Sequence, residues 1–254
     1  MTRVLVKQGR GLVAVVALLA LAVAACGSGG SPTLPGNNNT AGNGGTSQPG
    51  GTGADSFSSG LSANLDKLDS YKFTWTFSAG ESGASASSSL PASGTVINKP
   101  AKAAAVNYFG LMYVQIGTQQ WMSLDEGKSY MLNTDSTSLD SMLPTKDYAT
   151  YFDANAGNYK QVGATETKNG VSCLHFQGDS SLGGVYAALA GGSASFHADL
   201  WVAKDGSYPV SGSFGFSFAT GSDAGAWGYN FDITNINDPA NKVEQPTNVT
   251  VLPS

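Results

Sequence analysis

In 254 residues the chain has two cysteines, Cys26 and Cys173, and two histidines, His175 and His197. Thiols and imidazoles are the side chains best suited to nucleophilic, proton-transfer and metal chemistry near neutral pH. Cys173 and His175 stand two apart in "NGVSCLHFQG", and His197 and Asp199 two apart in "SFHADLW". In a strand that spacing puts each pair on one face. A Cys-His nucleophile also needs a cleft, an oriented base and an oxyanion hole. Two neighbours on a flat strand do not supply these. Cys173 is therefore expected to be a small buried hydrophobe and His175 an outward or capped side chain. A zinc site built from Cys173, His175, His197 and Asp199 would require the two strands to be adjacent, and it lacks the closely spaced ligand pairs of structural zinc. No G-x-S-x-G, phosphate loop or dinucleotide fingerprint occurs, and "GFSFA" at 215–219 lacks the second glycine. The expectation is no catalytic residue, no metal, no cofactor and no enzyme.

Cys26 invites a different chemistry. "MTRVLVKQGR" carries Arg3, Lys7 and Arg10 without an acid, and "GLVAVVALLALAVAA" then runs from Gly11 to Ala25 with no polar side chain. This is the layout of a secretory signal, and the run is shorter than the roughly 20 residues needed to span a bilayer as a helix. Val23-Ala24-Ala25-Cys26 followed by Gly27 resembles the bacterial lipobox. There the cysteine sulfur receives a diacylglycerol and the signal is cut just before it. Residues 1–25 are expected to be a lipoprotein signal and Cys26 the lipid attachment site. Two or more acyl chains, at about 0.8 kcal/mol per buried methylene, hold a protein stably on a membrane. The expected location is the extracytoplasmic face of a bacterial cell membrane.

Residues 26–55 are nearly all Gly, Ser, Asn, Thr and Pro. Such a segment buries too little apolar surface to offset its ordering entropy, and is expected to be a disordered tether reaching about 30 Å r.m.s.. The formal charge is −5, from 13 basic and 18 acidic residues; without Arg3, Lys7 and Arg10 it becomes 10 − 18 = −8. With no basic patch, nucleic acid is not an expected partner.

Residues 56–236 read as one domain. Phe57, Leu61, Leu65 and Leu68 have helical spacing, with serines placed to act as N-cap. "YKFTWTFS" alternates strictly, and "GESGASASSSLPASG" reads as a loop. Short strands follow, broken at Asn98-Lys99-Pro100, Phe109-Gly110 and Gly117-Thr118. Residues 134–157 read as short helix and loop, and "SSLGGVYAALAGGS" as a weak helix. Lys168-Asn169-Gly170 and Asp205-Gly206 mark hairpins. Residues 237–254 read as a polar, loosely docked tail.

Three strands carry an aromatic or apolar face: Phe73, Trp75 and Phe77; Phe214, Phe216 and Phe218; and Trp227, Tyr229, Phe231 and Ile233. Ser213, Gly215 and Ser217 lie on the other face of the second, so one side of the sheet is buried. With the lipobox, the motifs "LDSYKFTWTFS", "ETKNGVSCLHFQG" and "LWVAKDGSYPVSGSFGFS" resemble the LppX/LprG family of mycobacterial lipoproteins and the wider LolA-like group. The resemblance rests in part on Trp201, the Asp205-Gly206 turn and Pro209. The long tether and low charge depart from the family. The resemblance implies an α+β fold: a curved antiparallel β half-barrel with helices covering the concave face, and a cavity there for acyl chains. Its expected lining is Phe73, Trp75, Phe77, Phe214, Phe216, Phe218, Trp227, Tyr229 and Phe231. Acyl chains bring no hydrogen bonds and bind by buried area, about 25 cal/mol per Å². Two functions follow from different classes. One is a membrane-anchored protein that binds or carries acyl-chain lipids or lipoglycans in the envelope. The other is an interaction or sensing module with a filled core, its envelope protein partner left open.

Overall fold

A computed structural model describes residues 60–81, 88–133, 143–178, 194–218 and 225–250. All lie in one compact unit, Gly51–Ser254. Cys26, the signal and the tether lie outside the described residues, as do Phe57 and the expected helix over 180–193.

Thirteen strands form a single sheet in the order β13-β6-β5-β4-β3-β2-β1-β12-β11-β10-β9-β7, with β8 also pairing β9. The strands are β1 (Ser70–Glu81), β2 (Ser88–Ile97), β3 (Ala103–Tyr108), β4 (Leu111–Ile116), β5 (Gln119–Ser123), β6 (Tyr130–Asn133), β7 (Tyr159–Gln161), β8 (Glu166–Lys168), β9 (Val171–Gly178), β10 (Ala194–Ala203), β11 (Pro209–Phe218), β12 (Gly225–Thr234) and β13 (Val249–Thr250). Every pairing is antiparallel except β13 with β6. Among the described residues two α-helices, α1 (Leu61–Leu65) and α2 (Pro144–Ala154), join the buried side of this curved sheet. The α+β half-barrel expected from the sequence is the observed fold.

The breaks fall where the sequence places them. Asn169 and Gly170 adopt φ of 51° and 79°, the left-handed pair that a two-residue hairpin requires. Three readings need correction. "SSLPASG", read as loop, belongs to β2. Pro91 fits because β3 ends opposite Ala92, so β2 has no ladder partner on that side at residue 91. The first amides of α1 are not capped by a serine; those of Gly60, Leu61 and Ser62 donate to the Asp153 carboxylate at 2.7, 2.8 and 3.1 Å. An acid in the last turn of α2 opposes that helix's own dipole, and capping α1 supplies the compensation. The tail is docked: Asn241 donates to Ser70 Oγ at 2.9 Å, Tyr130 N–H to the Asn248 carbonyl at 2.8 Å, and β13 adds to the β6 edge.

Candidate functional site

Register puts the aromatic residues on one face. Phe73 pairs with Ile233, Trp75 with Phe231 and Phe77 with Tyr229; across β12, Phe231 meets Gly212, Tyr229 meets Phe214 and Trp227 meets Phe216. Directly paired residues share a face, so Phe73, Trp75, Phe77, Phe214, Phe216, Tyr229 and Phe231 share one wall. The side chains of Phe218 and Trp227 lie outside the described residues.

The wall is not uniformly covered. Phe73, Trp75, Phe216 and Phe231 are buried, with Phe73 at 1% and Trp75 at 8% exposure, whereas Phe77, Phe214 and Tyr229 are half-buried. Burial falls along β1 from Tyr71 to Phe77 and along β12, which runs the other way, from Ile233 to Tyr229. Both gradients point the same way, but β11 runs against them: Phe216, level with Trp227 beyond Tyr229, is buried whereas Phe214 is half-buried. The Tyr71 end is shut by α1: Asn98 Nδ2 donates to the Leu65 and Leu68 carbonyls at 3.1 and 3.0 Å, and Asn64 Nδ2 to that of Ser207 at 2.9 Å.

Helix α2 occupies the middle of the face. The Tyr148 ring stacks on Phe231 at 5.6 Å, and its hydroxyl accepts from Trp75 Nε1 at 2.7 Å. Tyr151 stacks on Phe214 at 5.9 Å, and Phe152 is fully buried between Phe231 and Tyr159. These three side chains are functional candidates that the reading of the sequence missed. Their signal was the i, i+3, i+4 spacing in "DYATYFDA", which marks one face of a helix.

In the less covered part the rings of Phe77, Phe214 and Tyr229 meet, with Tyr229 centred 5.0 Å from Phe77 and 4.7 Å from Phe214. Tyr108 and Tyr113 extend the wall, and Phe109 reaches Trp75 at 6.1 Å. Outside Phe109 lies a shallow groove of about 420 Å³ bordered by Leu90, Pro91, Asn107 and Glu126. Burial, reinforced by Asp147 and then Tyr113, pushes the Tyr108 hydroxyl well above its ordinary range, and burial also raises the Asp147 carboxyl. Both shifts favour the neutral form, and so an apolar wall.

The thiol and imidazoles lie elsewhere. Cys173 pairs with Ala203 and His175 with Trp201, while Leu200 and Phe176 take the aromatic side. Cys173 and His175 therefore share the convex face, as expected. Cys173 is a free, fully buried thiol packed with Ala203 and Val210. Burial raises its pKa, which disfavours the thiolate a nucleophile needs. His175 stacks on Trp201 at 4.3 Å; its Nε2 lies 2.8 Å from Asp199 and its Nδ1 3.4 Å from Glu166. Trp201 Nε1 donates to Glu166 at 2.9 Å, and Lys168 covers the indole at 4.0 Å. Strands β9 and β10 are adjacent, the condition set for a zinc site, but no group of three such ligands able to hold a metal occurs among the described residues. His197 is exposed on β10.

The site is thus an aromatic wall inside a half-barrel, closed at the α1 end and half covered around Phe77, Phe214 and Tyr229. No protein-family model matches the chain, and no curated protein matches it. Among solved structures it is similar to the lipoprotein LppX of Mycobacterium tuberculosis, at 16% identity over 72% of this chain and 94% of that one, with a TM-score of 0.38. LprF of Mycobacterium bovis is similar at 12% identity over 73% and 93%, with a TM-score of 0.40. A LolA-superfamily protein of Nitrosomonas europaea is similar at 12% identity over 73% and 92%, with a TM-score of 0.25. LppX, of the family that the sequence motifs resemble, is thus among the structures the chain is similar to. No helix among the described residues is long and apolar enough to cross a membrane.

Proposed function

We propose that the chain is a non-enzymatic, extracytoplasmic lipoprotein, anchored by acyl chains on Cys26, that binds acyl-chain lipids or lipoglycans against the aromatic wall. One observation carries this reading: Phe77, Phe214 and Tyr229 form a partly uncovered ring cluster on an otherwise buried apolar face. Aromatic area in contact with water is what an acyl chain would cover with gain. The rings of Tyr148, Tyr151 and Phe152 already fill the middle of the face, so a chain enters at this cluster and goes deeper only as α2 shifts. That same filling favours the second reading, an interaction module with a solid core. Titrating the protein with a long-chain lipid separates them. With a dansyl group on the lipid's acyl chain, the probe's emission shifts to the blue and saturates if the wall is a binding surface. Phe77→Glu, which sets a charge in the half-buried cluster, abolishes the shift without unfolding the sheet. Probe emission that ignores the folded wild type leaves only the interaction module.

A further inference from the structure

Three large apolar side chains among the described residues are conspicuously exposed: Phe109 at 41%, Leu124 at 62% and Leu132 at 47%. Phe109 belongs to the β3–β4 turn and Leu124 to the β5–β6 turn. These turns lie together: a Cβ placed on Gly110 would meet Glu126 at 3.8 Å, and Phe109, Gly110 and Glu126 border the same groove. Register places that groove beside the half-covered part of the aromatic wall. Tyr108 pairs with Ala92, which pairs with Trp75, so Phe109 sits beyond Trp75 in the direction of Phe77.

Neither side chain is exposed because its turn is loose. Ser123 Oγ donates to Asp125 at 2.7 Å and accepts from Gly127 N–H at 2.8 Å, while Ser129 gives Asp125 its backbone N–H at 2.9 Å and its hydroxyl at 2.6 Å. This network leaves Leu124 at the tip of a knotted turn. Phe109 holds φ of 56°, a conformation rare for a bulky residue, with Gly110 N–H tied to Asn107 Oδ1 at 2.8 Å. One ring therefore touches both solvent and Trp75.

From this geometry we infer that the rim formed by Phe109 and Leu124 rests on the apolar interface of a lipid bilayer, so that lipid passes between membrane and aromatic wall without crossing water. The inference deepens the lipid-binding reading and rests on it. The occupant is a membrane because the apolar tips continue directly into the wall proposed to take acyl chains. The 33 residues between Cys26 and Gly60 also allow the domain to approach the surface to which that cysteine would fix it. Charge selects the kind of surface. A mature chain of net −8 is repelled by anionic lipid, and the rim turn carries Asp125 and Glu126 against the single Lys128, so contact depends on apolar insertion into a zwitterionic interface.

The test uses the full-length acylated protein in phosphatidylcholine vesicles, with a nitroxide on Leu124→Cys. Cys173 is fully buried and Cys26 blocked by its lipid, so labelling is confined to the new thiol. A second label on Thr118→Cys, in the exposed β4–β5 turn at the other end of the sheet, serves as reference. The label at 124 should collide more with dissolved oxygen, and about tenfold less with a water-soluble nickel chelate, than the label at 118, as a side chain below the headgroups does. In parallel, Leu124→Ser, outside the aromatic wall, should slow uptake of a pyrene-labelled acyl lipid from vesicles about tenfold. It should leave the affinity for the same lipid added as monomer unchanged. Equal nickel access at 124 and 118, in a protein that takes up monomeric lipid normally, overturns the docking inference alone. A wild type that takes up lipid from neither source overturns the binding reading, and docking with it.

Discussion

Gly94 lies on β2 directly opposite Phe73, a buried ring of the β1 ladder. A Cβ built there would stand 2.6 Å from Phe73 Cε1, 2.8 Å from Cζ and 2.7 Å from the Ala105 carbonyl oxygen. The ring is 1% exposed and has nowhere to retreat, and the carbonyl belongs to the β2–β3 ladder. Gly94→Ala therefore forces either the ring or the strand aside, at about 1–3 kcal/mol for overpacking. Roughly 0.5–1 kcal/mol is recovered because alanine loses less backbone entropy than glycine in a strand. With three atoms closer than 3.0 Å the upper part of that range applies, so the net loss is about 1–2.5 kcal/mol, and at roughly 2–4 °C per kcal/mol for a domain of this size Tm falls by about 2–10 °C. Thermal unfolding followed by circular dichroism reads this directly. Gly157→Ala is the comparison: nothing lies within 4 Å of its Cβ position and its φ is not positive, so stability should hold or rise slightly. If Gly94→Ala melts with Gly157→Ala, the close packing of glycine under the aromatic ladder is wrong.

Cys173→Ser should destabilise the domain by about 1–3 kcal/mol, since it buries a hydroxyl in an apolar cluster, while lipid uptake by the folded protein is unchanged. Loss of uptake at full stability would give the thiol a role it lacks here. Cys26→Ala should abolish metabolic labelling by an alkyne fatty acid, and labelling that persists would remove the anchor from the account. Asp125 is held well below the usual carboxylate range by hydrogen bonds from Ser129 and then Ser123. A depressed folded pKa gives stability that is present above the ordinary carboxylate pKa and lost as pH falls below it. Amide protection at Gly127 and Ser129 should therefore weaken in acid, and already be weak at neutral pH in Asp125→Asn.

The aromatic ladder was legible because strict alternation in "YKFTWTFS" and "GSFGFSF" leaves only one way to bury the rings. The hairpin at Asn169-Gly170 was legible because few residues accept its backbone angles; the turn expected at Asp205-Gly206 is a longer loop whose left-handed residues are Gly206 and Ser207. Other features depend on partners distant in sequence. Nothing local tells that Ser88–Pro91 pairs with β1 rather than forming a loop, since serine-rich segments favour turns until a neighbouring strand claims their hydrogen bonds. The Asp153 cap on α1 spans more than 90 residues, and β13 joins a strand formed about 120 residues earlier. At the site, the wall was visible and its filling was not. Tyr148, Tyr151 and Phe152 look like an ordinary amphipathic face until the register shows which rings they meet. The exposure of Phe109 follows from its positive φ, which no alternation pattern encodes.

Native mass spectrometry of the full-length protein, extracted from the membranes of its own host, tests the central claim most directly. Denaturing spectra of the same sample give the mass of the covalently acylated chain, and any excess under native conditions is lipid held without a bond. The account predicts an excess of one acyl-chain lipid or lipoglycan in the wild type and its loss in a folded Phe77→Glu variant. A wild-type protein whose native and denatured masses agree would contradict it.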